Sequence, residues 1–298
     1  MEKRQFGKTD MQVTVLGFGG AEIGFQQSGA ATFSQLLNEA LDAGLNVIDT
    51  AECYLQSEEL IGQAVSGRRK DFYLFTKCGH PETMSKPDWR PASLSQSIER
   101  SLRRLRTDRL DLIQLHSCSE EELRKGDVIT ALEDARKRGY ARYIGYSGDG
   151  QAARYAIECG RFDTLQTSVS IADQEAIDLT LPLARQRQMG VIAKRPIANV
   201  AWKMEPQPES SYYHAYWKRL QKLDYKFLQG PTRDAVAIAL RFTLTVHGVH
   251  TAIVGTTKPG RWRENAELVG AGPLPKDQYE EIRARWREVA DASWVGQV

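Results

Sequence analysis

The chain is poor in the residues that mark several common functions. Cysteine occurs only four times in 298 residues, as Cys53, Cys78, Cys118 and Cys159, and never in a CxxC spacing. That argues against a disulfide framework and points to free thiols. No apolar run is long enough to span a bilayer, and the opening MEKRQFGKTDMQ lacks the apolar core of a secretory signal. The formal net charge is only +2, with both signs interspersed. A nucleic-acid groove or a charged membrane surface needs a stronger bias than that. A cytoplasmic protein without membrane or nucleic-acid partners is expected. No internal repeat or low-complexity linker divides the chain, so residues 1–298 read as one domain. The glycine run GFGGAEIG (17–24) is not a dinucleotide fingerprint: no GxGxxG frame opens a helix, and no GxxxxGK[ST] occurs anywhere. It reads as a tight strand-to-loop turn.

What is present is alternation. KRQF and QVTV flank the turn-rich GKTD, which predicts a small N-terminal hairpin. Beyond it lie eight apolar strand candidates: VLGFG (15–19), NVID (46–49), FYLFTK (72–77), LDLIQLH (110–116), YIGYS (143–147), TLQTS (164–168), GVIAKR (190–195) and TAIVG (251–255). Helical patterns such as FSQLLNEALDAG, SLSQSIERSLRRL, VITALEDARKRG and AVAIALRFTLTV separate them, with apolar residues near the i, i+3, i+4 spacing. Ser93 is a candidate N-cap, and Gly44 and Gly139 stand just past helix ends. Eight alternating units predict a closed parallel (β/α)8 barrel, with an open doubly wound sheet as the competing arrangement.

In such a barrel the strand ends open onto one face, and here they end on ionisable groups. The second strand stops at Asp49, with Tyr54 in its loop. The third stops at Lys77 and the fourth at His116. Singly, each has an ordinary explanation: a loop cap, a solvated lysine, a satisfied core histidine. Together they can form a proton-delivering device. A phenol with a pKa of about 10 is a poor acid at neutral pH, and a neighbouring ammonium favours its phenolate. A shift of roughly two units corresponds to about 3 kcal/mol of differential interaction. Asp49 would orient Lys77, and His116 could hydrogen-bond a carbonyl oxygen.

The segments NVIDTAECYLQSEELIG, FTKCG, SLRRLRTDRLDLIQLHS and GYARYIGYS resemble the aldo-keto reductase superfamily. The likeness runs from the hairpin to IVGTTKPGRWREN, in the family's order. It implies a TIM barrel with an N-terminal hairpin cap, binding a nicotinamide coenzyme without a Rossmann fold and reducing an aldehyde or ketone. It implies Tyr54 as general acid, tuned by Asp49 and Lys77, with His116 orienting the substrate. Gly20, Ala21 and Asp49 would meet the coenzyme near the first two strand ends. Ser147 and Gln166 match positions that hold the carboxamide, and the asparagine common after that serine is Gly148 here. At the seventh strand, where many relatives stack a tyrosine, the chain has Lys194 and Arg195: the guanidinium would stack, or either cation would meet a phosphate. GTTKPGRWREN (255–265) resembles the adenosine 2′-phosphate site, with Arg261 on the phosphate and Glu264 and Asn265 on adenine. Thr256, Thr257 and Lys258 would supply further donors, while Gly255 stands where lysine is frequent. NADPH is therefore expected over NADH. The alternatives are an NADPH-binding sensor with little turnover and a Schiff-base lyase acting through Lys77.

Cys53, Cys78 and Cys118 neighbour the site residues in sequence. A zinc site or redox switch is conceivable, but small apolar gap-fillers is the better reading, and no metal is expected. Trp89, Trp202, Tyr212, Tyr213 and Trp217 would either wall a substrate pocket or, in YYHAYWKRLQKL, form a helix covering the barrel.

Overall fold

A computed structural model of the chain describes residues 1–25, 29–81, 83–205, 209 and 211–297, the side chains of residues 211 and 212 excepted. Two short antiparallel strands, β1 (Lys3–Gln5) and β2 (Gln12–Thr14), form the N-terminal hairpin. Eight parallel strands follow: β3 (Leu16–Gly19), β4 (Val47–Asp49), β5 (Tyr73–Cys78), β6 (Leu110–His116), β7 (Ala141–Ser147), β8 (Thr164–Ser168), β9 (Gly190–Lys194) and β10 (Thr251–Val254). They close in sequence order, with β10 pairing back onto β3. The closed (β/α)8 barrel is therefore the observed arrangement, and the open sheet is excluded.

Successive strand residues face opposite sides of the sheet, so residues two apart share a face. That rule builds the barrel interior in layers. Val47, Phe75, Leu112 and Ile192 pack with Phe6, Met11 and Val13 of the hairpin into one buried apolar cluster. Two residues further along the same strands stand Asp49, Lys77, Gln114 and Lys194, and His116 follows two beyond Gln114. The apolar layer and hairpin plug one end, and the polar layer occupies the other. Outside the strands, a larger apolar core joins barrel and helices through residues such as Leu37, Ile98, Leu132 and Leu240.

Two local expectations change. The helix of Pro91–Arg104 begins at its proline with Arg90 as N-cap, so Ser93 lies inside the first turn. Proline's fixed φ suits the first helical position, and this outweighs a serine cap. The glycine run leads from β3 into a short helix, Ala21–Phe25, rather than into a loop. Gly44 and Gly139 take positive φ, 96° and 79°, immediately after the helices Ala30–Asp42 and Asp127–Lys137. YYHAYWKRLQKL is helical, within Ser211–Leu223. Tyr216, Leu220 and Leu223 form its buried stripe at i, i+4, i+7 spacing. The side chain of Tyr212 and residues 206–208 and 210 of the expected loop 196–217 lie outside the described residues.

Candidate active site

Asp49, Lys77 and His116 sit at the ends of three adjacent strands. The register pairs Asp49 with Phe75 and Lys77 with Gln114, which staggers the three side chains around one mouth. Lys77 Nζ donates to Asp49 Oδ1 and, at 2.8 Å, to the Thr50 carbonyl. Both members of this pair are 1% exposed. The other Asp49 oxygen accepts from Gln166 Nε2 at 2.8 Å and from Gln114 Nε2 at 3.3 Å. A buried ion pair is costly unless its remaining hydrogen-bonding capacity is met, and the two glutamines meet it here.

The Tyr54 ring lies beside this pair, its centroid 5.1 Å from Lys77 Nζ. His116 meets the same ring edge-on, with centroids 5.7 Å apart. Burial, then the positive charge of Lys77, holds the His116 imidazole well below the usual histidine range. The ring is therefore neutral at pH 7, with one nitrogen donating and one accepting. His80 supports it from behind, Nε2 donating to the His116 carbonyl at 2.7 Å. Trp89 packs edge-on against His80.

Tyr54 and His116 open onto a cavity of about 570 Å³ that extends to Lys258, Arg261 and Asn265. Of the sequence candidates, Ala21, Gln166, Lys194, Arg195, Glu264 and those three also line it. Gly20, Asp49, Ser147, Thr256 and Thr257 are not among the lining residues. Gly20 donates its N–H to the Asp49 carbonyl at 2.7 Å. Ser147 Oγ donates to Gln166 Oε1 at 3.0 Å, and Thr256 Oγ1 accepts from the Lys258 N–H at 3.1 Å. Gly148 has a steric reason: a Cβ there would stand 2.5 Å from Tyr146 Oη, so asparagine would require the buried Tyr146 ring, bonded to the Cys118 carbonyl, to shift. Lys194 is bound to the buried Asp149 carboxylate at 2.9 Å, and Arg195 donates to the Gln297 carbonyl. Lys194 is thus neutralised from within the fold. Arg261 pairs with Glu264 at 3.1 Å on the cavity rim.

The sequence reading missed Glu52, Asn199 and Arg233. Glu52 is buried and accepts from the Gly79 and His80 N–H groups and from Arg100, so it fixes the turn that carries His80. Arg233 lines the cavity from the first turn of the helix Thr232–Thr245, and its place after GPT is the one available sequence signal. Asn199 lies in a strained stretch where Ala198, Asn199 and Val200 take φ of 45–55°, a conformation that non-glycine residues usually adopt only where surrounding structure imposes it. Trp217 is bonded to the Met204 carbonyl and belongs to the covering helix.

The four cysteines are free thiols, and Cys53, Cys78 and Cys118 are buried. Each has its own partner: Cys78 bonds the Gln114 carbonyl, Cys118 that of Ser119, and Cys53 faces His116. Among the described residues no group of three or more histidines, cysteines or carboxylates is placed to hold a metal ion.

A (β/α)8 barrel with a buried Asp–Lys pair beside a tyrosine and a neutral histidine, opening on a cation-lined cavity, defines a class of oxidoreductase. The sequence matches the Aldo/keto reductase family over residues 15–287, and the chain belongs to that family. Its relatives include the uncharacterized oxidoreductase YqkF of Bacillus subtilis, 26% identical with 97% of each chain covered. L-galactose dehydrogenase of Arabidopsis thaliana is 25% identical over 99% of this chain and 97% of its own. Among solved structures, the holo form of aldo-keto reductase AKR11C1 from Bacillus halodurans superposes with a TM-score of 0.85, at 27% identity and 99% coverage of both chains.

Proposed function

We propose that this chain is an NADPH-dependent carbonyl reductase in which Tyr54 is the general acid. The observation that carries this reading is spatial: Tyr54 and His116 line the same cavity as Lys258 and Arg261. The cavity suits a polyanionic coenzyme. Arg195, Arg233, Lys258 and Arg261 line it against two carboxylates, Glu22 and Glu264, while Lys194 is already paired with Asp149. Asn199 Nδ2 is buried with no partner among the described residues, a donor suited to a polar ligand. Arg261, half exposed at the rim, is suited to a phosphate monoester, which favours NADPH over NADH.

Bound there, NADPH supplies a hydride to the carbonyl carbon of an aldehyde or ketone. The chain's own residues handle the oxygen. Tyr54 gives it a proton, Lys77 stabilises the phenolate left behind, and Asp49 holds Lys77 in place. His116 donates a hydrogen bond to the same oxygen and, being neutral, does not compete with Tyr54 as the acid. A Schiff-base role for Lys77 is disfavoured, since an ammonium held in an ion pair with Asp49 and bonded to the Thr50 carbonyl has no lone pair with which to attack a carbonyl.

The test is a panel of aldehydes and ketones followed by loss of NADPH absorbance, on wild type, Tyr54→Phe and Arg261→Ala. Tyr54→Phe should lower kcat by at least about a hundredfold with coenzyme binding retained. Arg261→Ala should raise the KM for NADPH and leave that for NADH nearly unchanged. Near-normal kcat in Tyr54→Phe would remove it from the acid role. Tight NADPH binding with no oxidation by any carbonyl would favour the sensor instead.

A further inference from the structure

We infer that Cys53 is a positioning residue: its thiol donates to His116 Nδ1 and so fixes the imidazole tautomer that carries its proton on Nε2. The inference rests on the carbonyl-reductase reading for its consequence, though not for its geometry.

Cys53 directly precedes Tyr54 on the turn after β4. The turn is held by two backbone bonds, Glu52 N–H to the Lys77 carbonyl and Tyr54 N–H to that of Ala51. Residue 54 lies against Lys77, and residue 53 lies against the end of β6. Cys53 Sγ stands 3.5 Å from His116 Nδ1, with the two residues 3% and 7% exposed. A neutral imidazole has one N–H and one lone pair, and the partner of one nitrogen decides which is which.

Two directions are open to this contact. In the first, the thiol S–H points at the Nδ1 lone pair. In the second, an Nδ1–H points at sulfur. A thiol sulfur is a weak acceptor, and it becomes a strong one only as thiolate. Burial pushes the Cys53 thiol up to about 12, so it keeps its proton at pH 7. Among the described residues the S–H has one competing acceptor, Met84 Sδ at 3.6 Å. A thioether accepts far more weakly than an imidazole nitrogen. The thiol proton therefore goes to Nδ1, and Nε2 bears the imidazole hydrogen. The opposite tautomer would aim a lone pair at the substrate's oxygen, where His116 has to donate. His80 fixes the His116 backbone and leaves the tautomer undecided, since it bonds the carbonyl.

The experiment reads the tautomer directly. Histidine is labelled with nitrogen-15 in the full chain, and two-bond proton–nitrogen correlations are recorded without coenzyme. Only five histidines contribute signals. His116 is assigned by its loss in His116→Gln. Wild type should show a protonated Nε2 and an unprotonated Nδ1. Cys53→Val, similar in size without a donor, should move His116 towards the Nδ1–H form or a mixture, and should lower kcat roughly tenfold with the KM for NADPH unchanged. Cys53→Ser, which keeps a donor, should retain the tautomer and recover most of kcat. A wild-type proton on Nδ1, or an unchanged tautomer in Cys53→Val, overturns the inference. The wild-type spectrum decides even if the valine variant fails to fold. An inactive wild type with Nε2 protonated would refute the carbonyl-reductase reading while leaving the tautomer assignment standing.

Discussion

At the residue scale, histidines read differently once their partners are known. His250 lies outside every motif in the sequence, yet its Nδ1 accepts the Val191 N–H at 3.0 Å. Accepting requires that nitrogen to be unprotonated. Burial, with Arg4 nearby, pushes the ring down to about 4. The unfolded chain, at about 6.5, takes up the proton first. The stability owed to the neutral ring is therefore complete above that pH and is lost as pH falls towards 4. His250→Asn, whose amide oxygen can accept the same N–H, should lose about 1–2 kcal/mol less than wild type between pH 7 and pH 5. Urea midpoints at the two pH values measure this, and parallel losses in both proteins would refute it. Asp49, Lys77 and His116 were legible because period-two alternation carries an apolar strand directly to its polar end. The Cys53–His116 contact was not, because the partners are 63 positions apart and meet only through the turn after β4.

At the element scale, the hairpin shows why one barrel end is filled and the other opens on a cavity. Phe6 is fully buried, stacked on Phe75 at 5.8 Å and meeting His250 edge-on. It fills the bottom of the barrel with atoms that no strand supplies. Phe6→Ala should cost about 3–5 kcal/mol, the range for deleting a buried phenylalanine. The KM for a carbonyl substrate should be unchanged, because the plug lies at the end opposite Tyr54. Chemical denaturation with parallel kinetics tests both halves, and a large KM change would mean the two ends are coupled. Hairpin, strands and the helix containing YYHAYWKRLQKL were legible as patterns. The start of Pro91–Arg104 was misplaced because capping serine and N-terminal proline compete for the same signal. The strained Ala198–Val200 stretch carries no local signature, since its backbone is imposed by packing around the cavity.

At the scale of the whole molecule, the C-terminal segment fastens the barrel rim. Trp294 packs on Trp286, the Val295 carbonyl accepts from Arg219 at 2.7 Å, and the Gln297 carbonyl from Arg195. Gly296 lies against Asp149, where an added Cβ would come within 2.2 Å of the carboxylate carbon. Burial alone would raise the Asp149 carboxyl, but Lys194 and the Thr167 and Ser168 donors hold it low. Gly296→Ala should displace the segment and accelerate hydrogen exchange at residues 292–297. Tm should fall by about 2–4 °C for each kcal/mol lost. Unchanged exchange would show that the segment is held elsewhere.

By itself the sequence determined the eightfold alternation, the hairpin and the polar strand ends, because each follows from periodicities that repeat within a few residues. The tertiary structure alone decided that Cys53 faces His116, that Lys194 answers Asp149, and that Arg233 and Asn199 share the cavity with Tyr54. Those meetings depend on the closure of β10 onto β3 and on how loops pack over the mouth. Both join residues far apart in the chain, where no local pattern records the contact.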